Sequence, residues 1–342
     1  MKALVIEKPG KLTVWDIKEP PMGEYDVRCK QLYGATCTGT DLHVISGTFA
    51  EHVDYPSVIG HESIGEVIEV GKKVRNFKVG DLITRVGTRA QDDVKLSWGG
   101  MCEYGLAVDT QAAWLDGVDP KEWRYFCINQ VIPRGIISPE FAPMIITWRE
   151  TLSYIKRIGV FPGSKVFISG SGGNGISLAC MAAICGAEEV VMTGNISREE
   201  TAKKAGVTCY LDYKNEQAVE NFLKNHTGCF DIIIDATGKK GSLDKFLPIL
   251  HSGGTVGIYG MDDYNRYTLN PLMGPARINI YNGGYYEPET HQKVIDLIRA
   301  GSLDASLWID INHIFTWENA ASAYDYVKEK KAIKSVIRLF KD

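Results

Sequence analysis

No stretch of this chain is apolar for long enough to span a bilayer, and its first residues, MKALVIEKPG, lack the layout of a secretion signal. Positive charge is not in excess: 38 Lys and Arg stand against 42 Asp and Glu, a net charge of −4. That balance leaves no electrostatic footprint for nucleic acid or an anionic membrane surface. Cysteine is present but not organised. The eight, at 29, 37, 102, 127, 180, 185, 209 and 229, are scattered, as reduced thiols of a cytoplasmic protein are and as a disulfide framework is not. Internal repeats and low-complexity tracts are missing too. What is there is an ordinary globular composition, 44% hydrophobic and 23% charged, in 342 residues. At about 150 residues per domain, that length suggests two domains.

The first third is built of short alternating segments broken by Gly and Pro, including Ala3–Glu7, Val27–Leu32, Ile64–Val70 and Asp81–Val86. Regular short strands with turn signals predict a β-rich, barrel-like domain. From about residue 150 the texture changes. The apolar runs Lys165–Ser169, Val190–Thr193, Ile232–Asp235 and Thr255–Tyr259 alternate with helix-like stretches such as Arg198–Ala205. Strands alternating with helices predict an α/β domain with a parallel sheet. The chain closes with a helix-like Phe315–Lys328 and a strand-like Ser335–Leu339.

Two motifs carry chemistry. Gly170-Ser171-Gly172-Gly173-Asn174-Gly175 is G-x-G-x-x-G, set directly after the strand KVFIS and opening an Ala-rich helix. The first glycine permits a tight turn, the second lets a pyrophosphate approach the backbone, and the third lets helix and strand pack closely. The phosphates would then face free N–H groups at a helix N-terminus. The second strand of this unit runs Val190-Val191-Met192-Thr193-Gly194-Asn195-Ile196-Ser197-Arg198, with no carboxylate near Thr193 to accept a ribose 2′-hydroxyl. Thr193, Asn195, Ser197 and Arg198 therefore favour NADP, with NAD the alternative.

The other motif is Gly60-His61-Glu62-Ser63-Ile64-Gly65, continuing to Gly71 and Val74. It places an imidazole beside a carboxylate, both zinc-type ligands. Its spacing, G-H-E-x2-G-x5-G-x2-V, resembles the zinc-type alcohol and polyol dehydrogenases of the medium-chain dehydrogenase/reductase superfamily, in particular the sorbitol- and glucose-dehydrogenase-like branches. The resemblance extends over nearly the whole chain. It implies a GroES-like β-rich catalytic domain over residues 1–148 and 300–342, and a Rossmann domain with a doubly wound parallel sheet over 149–299.

The resemblance also assigns roles. Cys37 corresponds to the family's ligand cysteine, with one residue inserted between it and Thr40; the other register, counted back from Asp41, would put Thr38 there. Thiolate is the better zinc ligand. Thr40 and His43 match the family's proton relay. Where relatives carry a third ligand, ahead of the helix into the Rossmann domain, this chain has an isoleucine in Met144-Ile145-Ile146-Thr147. Glu62 is thus the candidate completing a Cys37/His61/Glu62 set, with Glu150 more remote. A structural zinc is excluded, because the segment that carries four cysteines in many relatives holds only Cys102 here.

The implied activity is hydride transfer between a secondary alcohol and NAD(P), assisted by one catalytic zinc. A polyol, sugar or cyclitol is the expected substrate class, with aromatics such as Trp148, Tyr264 and Tyr285 as supporting features. The resemblance further implies a homo-oligomer, dimer or tetramer. Two alternatives stand beside it: a zinc-free NADPH-dependent reductase of the quinone-reductase type, and a non-catalytic nucleotide-binding protein.

Overall fold

The computed structural model describes residues 1–340. It divides into two compact units: Met1–Arg149 together with the chain from Glu287 onward, and Glu150–Tyr286. The return to the first unit falls at Glu287, ahead of residue 300, because its carboxylate is ion-paired with Arg85 and Arg149, both in the first unit.

The first unit contains β1 (Lys2–Lys8), β2 (Lys11–Asp16), β3 (Asp26–Ala35), α1 (Thr40–Ser46), β4 (Ser57–Val58), β5 (Glu62–Val70), β6 (Leu82–Thr84), β7 (Lys95–Leu96), β8 (Tyr104–Val108), α2 (Thr110–Leu115) and β9 (Val131–Ile132). α3 (Met144–Ile158) carries the chain into the second unit, which comprises β10 (Lys165–Ser169), α4 (Gly173–Ile184), β11 (Glu189–Gly194), α5 (Glu199–Lys204), β12 (Cys209–Asp212), α6 (Glu216–Asn225), β13 (Phe230–Asp235), β14 (Leu250–Ile258) and β15 (Asn279–Tyr281). α7 (His291–Arg299), β16 (Ile309–Phe315), α8 (Ser322–Lys328) and β17 (Lys334–Arg338) complete the first unit.

The first unit holds a four-stranded sheet, β2-β1-β4-β7, and a seven-stranded sheet, β16-β17-β3-β5-β6-β9 with β8 also on β3. β3 organises the larger sheet. Its register against β5 slips between Arg28 and Cys29 and again between Gln31 and Tyr33. Such bulges bend a strand and let it serve several neighbours. Leu4, Ile6, Ile59, Met101, Phe315 and Tyr324 form one core, and Val27, Cys29, Val67, Ile83 and Ala107 another. This is the β-rich domain the alternating pattern predicts.

The second unit is a parallel sheet in the order β12-β11-β10-β13-β14-β15, covered by helices. β10, β11 and β13 read as continuous apolar runs because helices cover parallel sheets on both faces. Phe167 is fully buried at the core, with ring centroids 4.7 Å from Phe246 and 5.9 Å from Phe230. The strand order reverses between β10 and β13, the switch point where doubly wound sheets take their ligands. All eight cysteines are free. No helix among the described residues is long and apolar enough to cross a membrane.

Candidate functional site

The antiparallel pairing of β3 and β5 sets Ala35 opposite Glu62, so the residues just beyond these strand ends meet. Cys37 follows β3 and His61 precedes β5. Ligand atoms of Cys37, His61 and Glu62 all lie within 4.8 Å of one another, and all three side chains are buried. A tetrahedral zinc with bonds of about 2.0–2.3 Å needs ligand atoms about 3.3–3.7 Å apart, so this group must draw in by about 1 Å. The donor set of thiolate, imidazole and carboxylate suits that ion and leaves a fourth position open.

Neighbouring side chains hold each member. Asp41, fully buried in the first turn of α1, accepts from the Cys37 backbone N–H at 2.9 Å. Its other oxygen lies 3.1 Å from His61 Nδ1, off line for a hydrogen bond. Burial disfavours the His61 cation, but the charge of Asp41, and Cys37 on the other side, outweigh it and raise the imidazole well above its ordinary range. Glu62 accepts from Lys334 Nζ at 2.6 Å on both oxygens and from Thr147 Oγ1 at 3.0 Å. Lys334 arrives because β17 pairs with β3, Val336 opposite Ala35.

Lys334 and Thr147 were not legible as site residues. On α3, Ile145 and Ile146 are fully buried in the position expected to lack a ligand, and the polar group reaching the cluster from that helix is the Thr147 hydroxyl. Glu150 does not join the cluster. It accepts from Tyr285 at 3.0 Å and Tyr259 at 3.4 Å in the second unit. Thr40 opens α1 and His43 lies one turn on, each partly buried, with His43 Nδ1 2.9 Å from Thr48 Oγ1.

Each aromatic expected to support a polyol site is packed, hydrogen-bonded or exposed within its own unit. Trp148 is core, packed edge-on against Trp308 at 6.0 Å; the Tyr285 hydroxyl is taken by Glu150; Tyr264 is 61% exposed. An aromatic beside the cluster is Trp98, 5.1 Å from the His61 ring and 5.8 Å from Phe49. Its backbone is left-handed, φ 70°, a strained state for a bulky residue. The following Gly99-Gly100 was the available signal: a Cβ on Gly100 would lie 2.6 Å from Ser63 Oγ and 2.8 Å from Gly60 O. In the lobe that carries four cysteines in many relatives, Cys102 is buried, its thiol pushed up to about 12 by burial.

In the second unit the three glycines divide their roles. Gly170 ends β10 with φ 113°, a left-handed value that favours glycine. A Cβ on Gly175 would lie 2.1 Å from Gly170 O, so close strand–helix packing requires its absence. Gly172 has nothing within 4 Å of that position and is the open N-cap of α4, where a pyrophosphate can approach backbone N–H groups. Gly173 and Asn174 form the first turn of α4.

At the end of β11, Thr193 is 4% exposed and its Oγ1 is unpaired. Asn195 Oδ1 accepts from the Ser197 N–H at 3.0 Å, and its own N–H donates to Ser171 Oγ at 3.1 Å. This ties the strand end to the glycine turn. Ser197 is exposed, and Arg198 is partly buried, its guanidinium lowered by burial.

Residues 173–300 match the family model described as zinc-binding dehydrogenase, and residues 23–116 match the alcohol dehydrogenase GroES-like domain. The chain is 28% identical to sorbitol dehydrogenase of Bacillus subtilis, covering 89% of this chain and 87% of that protein. It is 29% identical to L-threonine 3-dehydrogenase of Cronobacter sakazakii, covering 98% of this chain and 99% of the other. Its fold matches alcohol dehydrogenase TADH from Thermus sp. ATN1 with a TM-score of 0.80 at 20% identity, over 99% of each chain.

Proposed function

Because the chain belongs to the zinc-type medium-chain dehydrogenase/reductase superfamily, we propose that it oxidises a secondary alcohol of the polyol, sugar or cyclitol class, with NADP as cofactor and one zinc held by Cys37, His61 and Glu62. The observation that carries this reading is the buried Cys37–His61–Glu62 group at the paired ends of β3 and β5. When bound, zinc supplies Lewis-acid polarisation of the alcohol oxygen and the nicotinamide supplies the hydride acceptor.

The chain's own residues do the rest. Asp41 orients His61, while Lys334 and Thr147 orient Glu62. Thr40 Oγ1 accepts the substrate hydroxyl proton and passes it on towards the His43 imidazole. The face of Trp98 offers the C–H face of a polyol or sugar an apolar platform beside His61. Gly172 and the first turn of α4, Gly173-Asn174-Gly175, take the pyrophosphate. NADP is favoured over NAD because no carboxylate ends β11 and Ser197 and Arg198 follow it.

Initial rates across polyols, sugars, cyclitols and simple alcohols, with NADP⁺ and NAD⁺ in parallel, test the reading. Turnover of a polyol-class alcohol with NADP⁺ preferred is expected; no oxidation of any secondary alcohol would contradict it. The pairing of both Glu62 oxygens with Lys334 favours a second reading, a zinc-free NADPH-dependent reductase. Metal-independent reduction of activated carbon–carbon double bonds would identify it. Fluorescence titration with NADPH and NADH separates the cofactors, and Arg198→Gln is expected to weaken NADPH about tenfold while sparing NADH.

β15 is the terminal strand of its sheet, with Ile280 59% and nearby Leu272 93% exposed. An exposed apolar edge is a template for strand pairing, and the assembly proposed is a homo-oligomer joined there. Light scattering at a mass of one chain would refute it.

A further inference from the structure

Arg85 has a left-handed backbone, φ 60°, unusual for a residue with a side chain. Its conformation is fixed from both sides: its N–H donates to Ser63 O at 2.9 Å, and its carbonyl accepts from Asn129 Nδ2 at 2.9 Å. Held so, the guanidinium forks onto Glu287, Nη2 to Oε1 at 2.5 Å and Nε to Oε2 at 3.3 Å. Nη1 donates to the backbone carbonyl of His61 at 2.6 Å.

Glu287 is shared. Arg149, whose side chain is wholly buried, donates to Oε2 at 2.8 Å, and also to Thr84 Oγ1 at 2.7 Å and Ile128 O at 3.0 Å. The result is an Arg–Glu–Arg triad with exposures of 10%, 4% and 0%. Two of its members, Arg149 and the shared Glu287, are the residues at which the chain leaves and re-enters the first unit.

Such a triad is not explained by stability. Taking charges from water costs about as much as their attraction returns, and well-packed apolar replacements are often neutral or better. Of the contacts that an apolar trio could not supply, the one that reaches the candidate metal centre is the hydrogen bond to His61 O. That carbonyl lies just before β5, outside the strand's ladder, and after Gly60 with its φ of 103°. The peptide before His61 is held by Gly100, whose N–H donates to Gly60 O at 2.7 Å, and Arg85 holds the carbonyl after it.

We propose that Arg85 is a positioning residue for the metal centre: anchored through Glu287 to Arg149, it fixes the backbone of His61 and so the aim of its imidazole at the ion. The proposal rests on the Cys37/His61/Glu62 reading of the centre. A lysine in its place keeps the charge but cannot both fork onto Glu287 and reach a carbonyl on the far side.

The test uses the full chain with Arg85→Met and Arg85→Lys. Zinc affinity is measured by competition with a chromophoric chelator, and hydrogen exchange of the peptide spanning Gly60–Glu62 is measured in metal-free protein. Both variants are expected to lose about tenfold in zinc affinity, in line with the effect of residues that orient metal ligands. They should also exchange the 60–62 amides about tenfold faster, with NADPH affinity unchanged in the second unit. Arg85→Lys serves as the test if Arg85→Met does not fold. Zinc affinity within twofold of the parent, or unchanged exchange at 60–62, overturns the proposal. A parent that binds no zinc refutes the metal reading instead, and the exchange measurement then decides the positioning claim by itself.

Discussion

Replacing Lys334 with methionine removes the cation from a carboxylate that is 1% exposed and leaves Glu62 with the Thr147 hydroxyl and, 4.0 Å away, the His61 ring. Both oxygens of Glu62 are 2.6 Å from Lys334 Nζ, so the loss is of the whole pairing. Removing one partner of a buried pair costs about 3–5 kcal/mol. In a unit of this size each kcal/mol moves Tm by about 2–4 °C, so metal-free Lys334→Met is expected to melt about 10 °C below the parent. Zinc changes the comparison. A divalent ion coordinated by Glu62 replaces the missing countercharge, so zinc should raise the Tm of Lys334→Met by more than it raises that of the parent. The double variant Glu62→Gln/Lys334→Met removes both charges and should recover most of the metal-free loss. Differential scanning fluorimetry on these three proteins, each with and without zinc, reads all of this. A metal-free fall under about 3 °C, or an equal zinc effect in the parent and Lys334→Met, would refute the reasoning.

The glycine turn gives a paired prediction. Gly175→Ala should lower Tm and cofactor affinity together, because its Cβ meets Gly170 O at 2.1 Å, whereas Gly172→Ala should leave Tm unchanged and weaken only the cofactor. Equal Tm losses in the two would contradict the assigned roles. His291 gives a pH prediction. Burial, with the charge of Arg149, holds it at about 4 rather than 6.5, and its Nε2 donates to Val131 O at 2.9 Å. The unfolded chain therefore binds the extra proton between those values, so this contribution is complete above pH 6.5 and is lost as pH falls towards 4, about 3 kcal/mol in all. His291→Gln should flatten the stability slope across that window by about one proton in a urea titration series; an unchanged slope would sink the assignment.

Much of this was legible in the sequence where one periodicity or one steric rule decides. Lys165–Ser169 is a strand with the bounds its apolar run suggests, and the glycines after it divide their tasks by the space around each. Cys37 and His61 were singled out by their motifs and the family resemblance, and strand ends in register bring their segments together. Phe315–Lys328 was not. The helical pattern there conceals the end of β16 at Phe315 and a helix starting only at Ser322, since His313 and Phe315 pack on Tyr326 across the turn. Lys334 and Arg85 were illegible for a different reason. A buried charge looks like any surface charge until the fold supplies its partners, here Glu62 at 272 residues' distance and Glu287 at 202.

The central claim is that Cys37, His61 and Glu62 hold one zinc, and elemental analysis of the purified chain tests it most directly. The account predicts about one zinc per chain in the parent, lost in both Cys37→Ser and His61→Ala. A parent without zinc, or variants that retain it, would contradict it.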